Sequence, residues 1–210
     1  MAMADYPYNA SFLGSLPAWP VNVSCNLLIE NENNALTALK EAVILYYNSS
    51  ANNELTCVNL TNEYVECADQ TGCGYGTDNI AWNYQMCTEV IVQQITNNVT
   101  DMFPPSVWNL NNLTEYCKSE FNVVPEYTWL QTWYPYNVSK AGDHIIWSNG
   151  LIDPWHGGGY LTALSPTMPA VIIPSGAHHL DLRGSNPDDP KDVVNARQQE
   201  VNILQGWLNE

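Results

Sequence analysis

Basic residues are scarce in this 210-residue chain: six Lys and Arg stand against 22 Asp and Glu, a formal net charge of −16 at pH 7. Phosphate binding needs clusters of Lys and Arg, so nucleic acid is excluded as a partner. The same imbalance attracts a cationic substrate end and suits an acidic compartment, where partial protonation relieves self-repulsion. Long apolar runs are also missing. No stretch approaches the length of a membrane span, so no membrane partner is expected. Met1 to Ala10 has neither the basic start nor the apolar stretch of a signal peptide. No C-x-x-C occurs and no His stands at ligand spacing from a cysteine, which argues against zinc and leaves no metal or other cofactor implied. Gly-x-Ser-x-Gly, the frame that exposes a nucleophilic serine on a strand-to-helix turn, is absent as well.

What is present describes a globular, secretory-type chain. Hydrophobic residues make up 45 %, with eight Trp and twelve Tyr, enough for one sizeable core. Six cysteines (Cys25, Cys57, Cys67, Cys73, Cys87 and Cys117) fit disulfides in an oxidising compartment, and six allow fifteen pairings. Seven Asn-x-Ser/Thr sequons, at Asn9, Asn22, Asn48, Asn59, Asn98, Asn112 and Asn137, predict glycosylation at several of them. A glycosylated, disulfide-bonded chain needs a leader, so further residues are expected upstream of Met1.

Two textures divide the chain at about residue 140. Residues 1–140 are rich in Asn, Thr, Tyr and Cys and read as part of a helical, disulfide-stapled cap domain. Leu36, Leu39, Val43 and Tyr46 recur at helical spacing and predict a helix over 35–47. Residues 57–80, with Gly72, Gly74 and Gly76, read as an irregular loop, and 82–95 as another helix. Residues 141–210 read as α/β. His144–Ser148 and Ala170–Pro174 are predicted strands, with Gly157-Gly158-Gly159 and a further helical segment between them. Asp189 is placed as an N-cap and Pro190 at the first position of a terminal helix. Val194, Val201, Leu204 and Leu208, widened by Ile203 and Trp207, form its expected packing stripe.

The two predicted strands deliver chemistry at their ends. One leads to Asp153 in Ser-Asn-Gly-Leu-Ile-Asp-Pro-Trp, the other to His178 in Gly-Ala-His-His-Leu-Asp-Leu-Arg. An acid and then a His on consecutive late strands match the second half of the order nucleophile, acid, His of an α/β-hydrolase. The acid accepts from one imidazole nitrogen and fixes the tautomer, which leaves the other nitrogen to take the nucleophile's proton. Metal binding by His178, His179 and Asp181 is a poorer reading, because adjacent side chains diverge in an extended loop.

The segments around these residues resemble the family of serine peptidases that contains lysosomal Pro-Xaa carboxypeptidase and dipeptidyl peptidase II. Ser148-Asn149-Gly150, Asp153-Pro154-Trp155, Gly157-Gly158-Gly159 and Gly176 through Arg183 carry the likeness, with Cys87-Thr88-Glu89, Asn98 through Phe103 and Ala2 through Tyr8 extending it over the chain. The resemblance implies the C-terminal part of an α/β-hydrolase fold plus part of the cap, with Asp153 and His178 catalytic and the serine in an N-terminal half. It implies disulfides Cys67–Cys73 and Cys87–Cys117, and Trp155 as an aromatic lining of a proline-accepting pocket. The loop Cys67-Ala68-Asp69-Gln70-Thr71-Gly72-Cys73 is similar to one in dipeptidyl peptidase II, whose acid holds the substrate's free α-amine; that role maps onto Asp69. The implied activity is release of X-Pro or X-Ala dipeptides from peptides with a free N-terminus. A Pro-Xaa carboxypeptidase, or an inactive truncated glycoprotein, is the alternative. Lysosome, another secretory vesicle or secretion is the implied location, and a homodimer the implied assembly of the full-length protein.

Overall fold

The structure, a computed structural model, describes residues 2–11, 15–50, 77–91, 95–101, 103–133, 140 and 142–209. The chain divides into two compact units, one built from Met1–Asn59 with Gly142–Glu210 and the other from Leu60–Ala141. The textural break near residue 140 therefore marks where the chain re-enters the first unit. Residues 1–59, expected to belong with the rest of the cap, fold with the C-terminal segment instead.

In the first unit a 3-10 turn at Ala2–Ala4 leads into a buried segment around Tyr6, which is only 1 % exposed. Helix α1 (Pro20–Glu30) follows, with proline at its first position. Its N-cap residue, Trp19, is left-handed (φ 51°) and offers no side-chain cap. The Asp5 carboxylate takes that role from a distance, accepting from the Val21 amide at 3.0 Å. An anion at a helix start satisfies an orphan amide and meets the positive end of the dipole. Helix α2 (Ala35–Ser50) packs on α1 and runs three residues beyond the predicted end.

Strands β1 (Trp147–Gly150) and β2 (Ala170–Ile173) pair in parallel, with Trp147 opposite Ala170 and Gly150 opposite Ile173. β1 starts three residues later than the sequence suggests, because His144 adopts a positive φ of 55° and breaks the extended run. Ile145 and Trp147 then donate to the carbonyls of Thr167 and Pro169 and bring the strand into register. In β2, Val171 and Ile173 are buried and Ile172 faces outward, the alternation a half-covered strand requires. No helix forms between the strands. A 3-10 turn at Pro154–Gly158 and a series of turns fill that stretch.

The chain's last described helix is αC (Lys191–Leu208). It packs on β2 through a face different from the one expected. Val193 and Ala196 are buried and Ile203 lies against the core, whereas Val194, Val201, Leu204 and Leu208 are exposed. Positions 193, 196, 200 and 203 follow helical spacing, and the inward face carries a small residue and a carboxylate in place of leucines. Pro190 is the N-cap, and Asp189 does not cap the helix: its carboxylate accepts from the Asn186 amide and from Arg197. The core of this unit gathers Ala4, Tyr6, Leu16, Val171, Ile173, Ala177, Leu180, Val193 and Ala196. Each large apolar side chain buried there contributes about 1.5–3 kcal/mol.

The second unit holds helices αA (Thr77–Thr88) and αB (Leu110–Phe121), tied by a Cys87–Cys117 disulfide whose sulfurs are fully buried with their residues. αA begins inside the stretch read as loop and ends earlier than expected. Asn109 caps αB by accepting from the amides of Asn111 and Asn112. Tyr84 and Tyr116 meet Phe121 edge-on at 5.7 and 6.3 Å. A short helix, Trp129–Trp133, follows in this unit.

Candidate active site

The site is made where the turns after β1 and β2 touch. The Leu151 amide donates to the Ile173 carbonyl and the Ile152 amide to the Gly176 carbonyl, so the first turn is laced to the second. The approach is possible only for glycine on both sides. A Cβ on Gly150 would sit 2.3 Å from the Gly176 carbonyl oxygen, and one on Gly176 would sit 2.9 Å from the Gly150 Cα.

This contact brings Asp153 and His178 together. The Asp153 Oδ2 lies 2.7 Å from His178 Nδ1, with side chains 11 % and 14 % exposed. Asp153 Oδ1 accepts from the Trp155 amide at 3.1 Å, so each carboxylate oxygen has a donor. A carboxylate oxygen accepts, so Nδ1 carries the hydrogen of this bond. That is the tautomer a general base needs. His179 takes a positive φ of 52° and is exposed; its ring centroid lies 3.7 Å from that of His178. His178, and not its neighbour, meets the acid.

Several residues to which the sequence assigned no such role hold this arrangement. Asn149, 8 % exposed, donates to the carbonyls of Trp147 and Tyr160 and lies against Gly159, where a Cβ would be 2.0 Å from its Oδ1. Gly157 and Gly158 have open space, so only the last glycine of the triplet is sterically required. Arg197 spans the loop after His178, donating to the carbonyls of Leu180 and Asp181 at 2.7 and 2.8 Å while pairing with Asp189 at 2.6 Å. Ser148 donates to Asp181 Oδ2 at 2.7 Å, which commits its hydroxyl to structure. Beside this pair, burial pushes the Glu200 carboxyl above the ordinary value, helped by the negative charge of Asp181. The guanidinium of Arg183 lies 4.5 Å from the centre of the Tyr6 ring.

The profile described as "Serine carboxypeptidase S28" matches residues 1–200 of the chain. The chain belongs to the serine carboxypeptidase S28 family. That family has an α/β-hydrolase-type fold and consists of serine peptidases. Among the S28 relatives, human "Lysosomal Pro-X carboxypeptidase" is 39 % identical over 214 residues, covering 100 % of this chain and 41 % of the relative. The bovine protein of the same name is 35 % identical, with 40 % of its length covered. A Caenorhabditis elegans "Putative serine protease pcp-1" is 34 % identical, with 39 % covered. The chain thus spans about two fifths of the length of the curated relatives it matches.

The remaining expected residues of this S28 chain are placed unevenly. Trp155 is 46 % exposed beside Asp153. The His156 Nδ1 lies 2.6 Å from the Asp153 carbonyl. Asp69, Cys67, Cys73, Cys57, Asn59 and Asn137 lie outside the described residues, as does the side chain of Asn48. Asn9, Asn22, Asn98 and Asn112 are exposed, and Cys25 is an exposed free thiol on α1. No helix among the described residues is long and apolar enough to cross a membrane.

Proposed function

We propose that the full-length protein carrying this chain is a serine exopeptidase that releases X-Pro or X-Ala dipeptides from peptides with a free N-terminus. The observation that carries the catalytic part is the 2.7 Å bond between Asp153 Oδ2 and His178 Nδ1. No Gly-x-Ser-x-Gly occurs in the 210 residues, so the nucleophile is assigned to the remainder of the full-length protein. His178 takes the serine proton as the serine oxygen bonds to the scissile carbonyl carbon. It returns that proton to the leaving amine as the C–N bond breaks, and Asp153 stabilises the imidazolium between the two events. Water then cleaves the acyl-enzyme by the same proton transfers in reverse roles. By themselves, these 210 residues are expected to hydrolyse nothing.

Asp69 is assigned to the substrate's α-ammonium group. An enzyme that removes dipeptides has to measure two residues from a cationic end, and a carboxylate in a small Cys67–Cys73 loop does so at fixed distance. Trp155 is assigned to the proline pocket. A lysosomal or secretory location, glycosylation at the sequons and a homodimer complete the reading; the relatives' printed name and the exposure of Asn9, Asn22, Asn98 and Asn112 support it. The same name favours a second reading, cleavage of a C-terminal residue after proline.

Purified full-length protein separates the two. A free X-Pro amide substrate is expected to be cleaved at least about 100-fold more efficiently than its N-acetylated form, because the α-ammonium–Asp69 pair contributes about 2–3 kcal/mol in a desolvated site. Asp69→Ala is expected to erase most of that ratio. Equal cleavage of the acetylated substrate, together with cleavage of N-blocked peptides ending in Pro-Xaa, overturns the aminopeptidase reading in favour of the carboxypeptidase.

A further inference from the structure

The backbone of His178 is held from an unexpected direction. Its amide donates to the Met3 carbonyl at 3.0 Å, and its carbonyl accepts from the Tyr6 hydroxyl at 2.7 Å. Both partners belong to one short segment, and Tyr6 is 172 residues from His178 in sequence. The segment is itself anchored: Asp5 caps α1, and the Tyr6 carbonyl accepts from the Trp19 amide at 2.8 Å. On either side of His178, Ala177 and Leu180 are buried in the same core as Tyr6.

We propose that Tyr6 is a positioning residue for the general base, setting the plane of the His178 peptide so that the imidazole reaches Asp153 with Nε2 aimed into the site. The proposal rests on the catalytic reading of the Asp153–His178 pair. Met3 engages the amide of this histidine, Tyr6 its carbonyl and Asp153 its ring. With the amide and carbonyl both engaged, the peptide planes flanking the Cα have little freedom to tilt, and only the side-chain torsions remain for Asp153 to set. Near-attack geometry is sensitive to displacements of about 1 Å, which a loosened peptide readily produces. The Tyr6 hydroxyl is a dependable donor. Burial pushes its phenol above the ordinary value while the nearby Arg183 charge opposes the rise, so it stays protonated across the range in which a peptidase works. Tyr6 touches the base through its backbone, so its effect belongs to the chemical step and not to substrate binding.

The test uses full-length protein and steady-state kinetics on an X-Pro amide. Tyr6→Phe is expected to lower kcat about tenfold with KM within about twofold, since the bond it removes is to the His178 backbone carbonyl. Replacing Tyr6 by 4-fluorophenylalanine fills the hydroxyl's volume without a donor. It is expected to reproduce the loss at an unchanged thermal midpoint, which covers the case where the phenylalanine variant folds poorly. Replacing Tyr6 by 4-aminophenylalanine restores an N–H donor and is expected to return kcat to within about threefold of the parent. A kcat within twofold of the parent in the folded fluoro variant overturns the proposal, as does a rise in KM at constant kcat or a failed rescue in folded protein. His178→Ala, run alongside, separates this outcome from failure of the catalytic reading: retained peptidase activity in that variant sinks the reading itself.

Discussion

Each carboxylate oxygen of Asp153 has one donor, the Trp155 amide or the His178 ring, and in the proposed mechanism this orients His178 as the base. Replacing the acid by its amide changes what Nδ1 meets. In the full-length protein Asp153→Asn is expected to lower kcat by about 10⁴-fold with little change in KM, the scale found when a triad's acid becomes an amide and the wrong tautomer is held. A loss below about tenfold in folded protein would show that Asp153 has no part in the chemistry. This pair was legible in the sequence because both members have side chains suited to the task and stand just after β-branched or apolar runs. The roles of Tyr6, Arg197 and Asn149 were not, because the contacts by which they hold the site are to main-chain carbonyls: His178, Leu180 and Asp181, and Trp147 and Tyr160. A carbonyl is the same at every position, so no residue type announces the contact.

At the scale of elements, the site depends on two strands ending side by side with nothing between their turns. Gly150→Ala places a methyl group 2.3 Å from the Gly176 carbonyl oxygen, a backbone atom that moves only if the turns part. The substitution is expected to destabilise the protein by about 1–3 kcal/mol in denaturant unfolding and to depress kcat by separating the pair. Gly157→Ala, with nothing within 4 Å, is expected to stay within about 0.5 kcal/mol of the parent. Equal behaviour of the two variants would refute the close-approach argument. Element type was readable from periodicity, most clearly for α2, β2 and αC. The face of αC was not. Apolar content pointed to Val194, Val201, Leu204 and Leu208, while the buried side carries Val193 and Ala196, with Arg197 and Glu200 reaching polar partners in the loop after His178. Hydrophobic patterning cannot foresee a polar residue whose hydrogen bonds make burial favourable.

At the scale of the whole molecule, the excess of acids acquires a direction. Burial raises the carboxyls of both Asp5 and Glu200 above their ordinary values of 3.8 and 4.5. A carboxyl raised in the folded state binds its proton more tightly there than in the unfolded chain. Its contribution is therefore complete below the ordinary value and is lost as pH climbs through the raised one. Asp101 and Asp143, both lowered, act in the opposite sense and only below their ordinary value of 3.8. The thermal midpoint is accordingly expected to fall as pH rises above about 4.5, the ordinary value of Glu200, and Glu200→Gln to flatten that slope. An unchanged slope in the variant would remove Glu200 as a source of the dependence. The two-part division was half legible: composition changes where the chain returns at Gly142, but nothing in residues 1–59 marks them as part of the same unit.

The strap of Met3 and Tyr6 on His178 also sets a schedule. Translation at about 5–20 residues per second separates the emergence of Tyr6 from that of His178, 172 residues later, by roughly 10–35 s. Throughout that interval the early segment has no histidine loop to close on, and the whole second unit is made in between. The strap on His178 therefore closes only after the whole second unit has been synthesised.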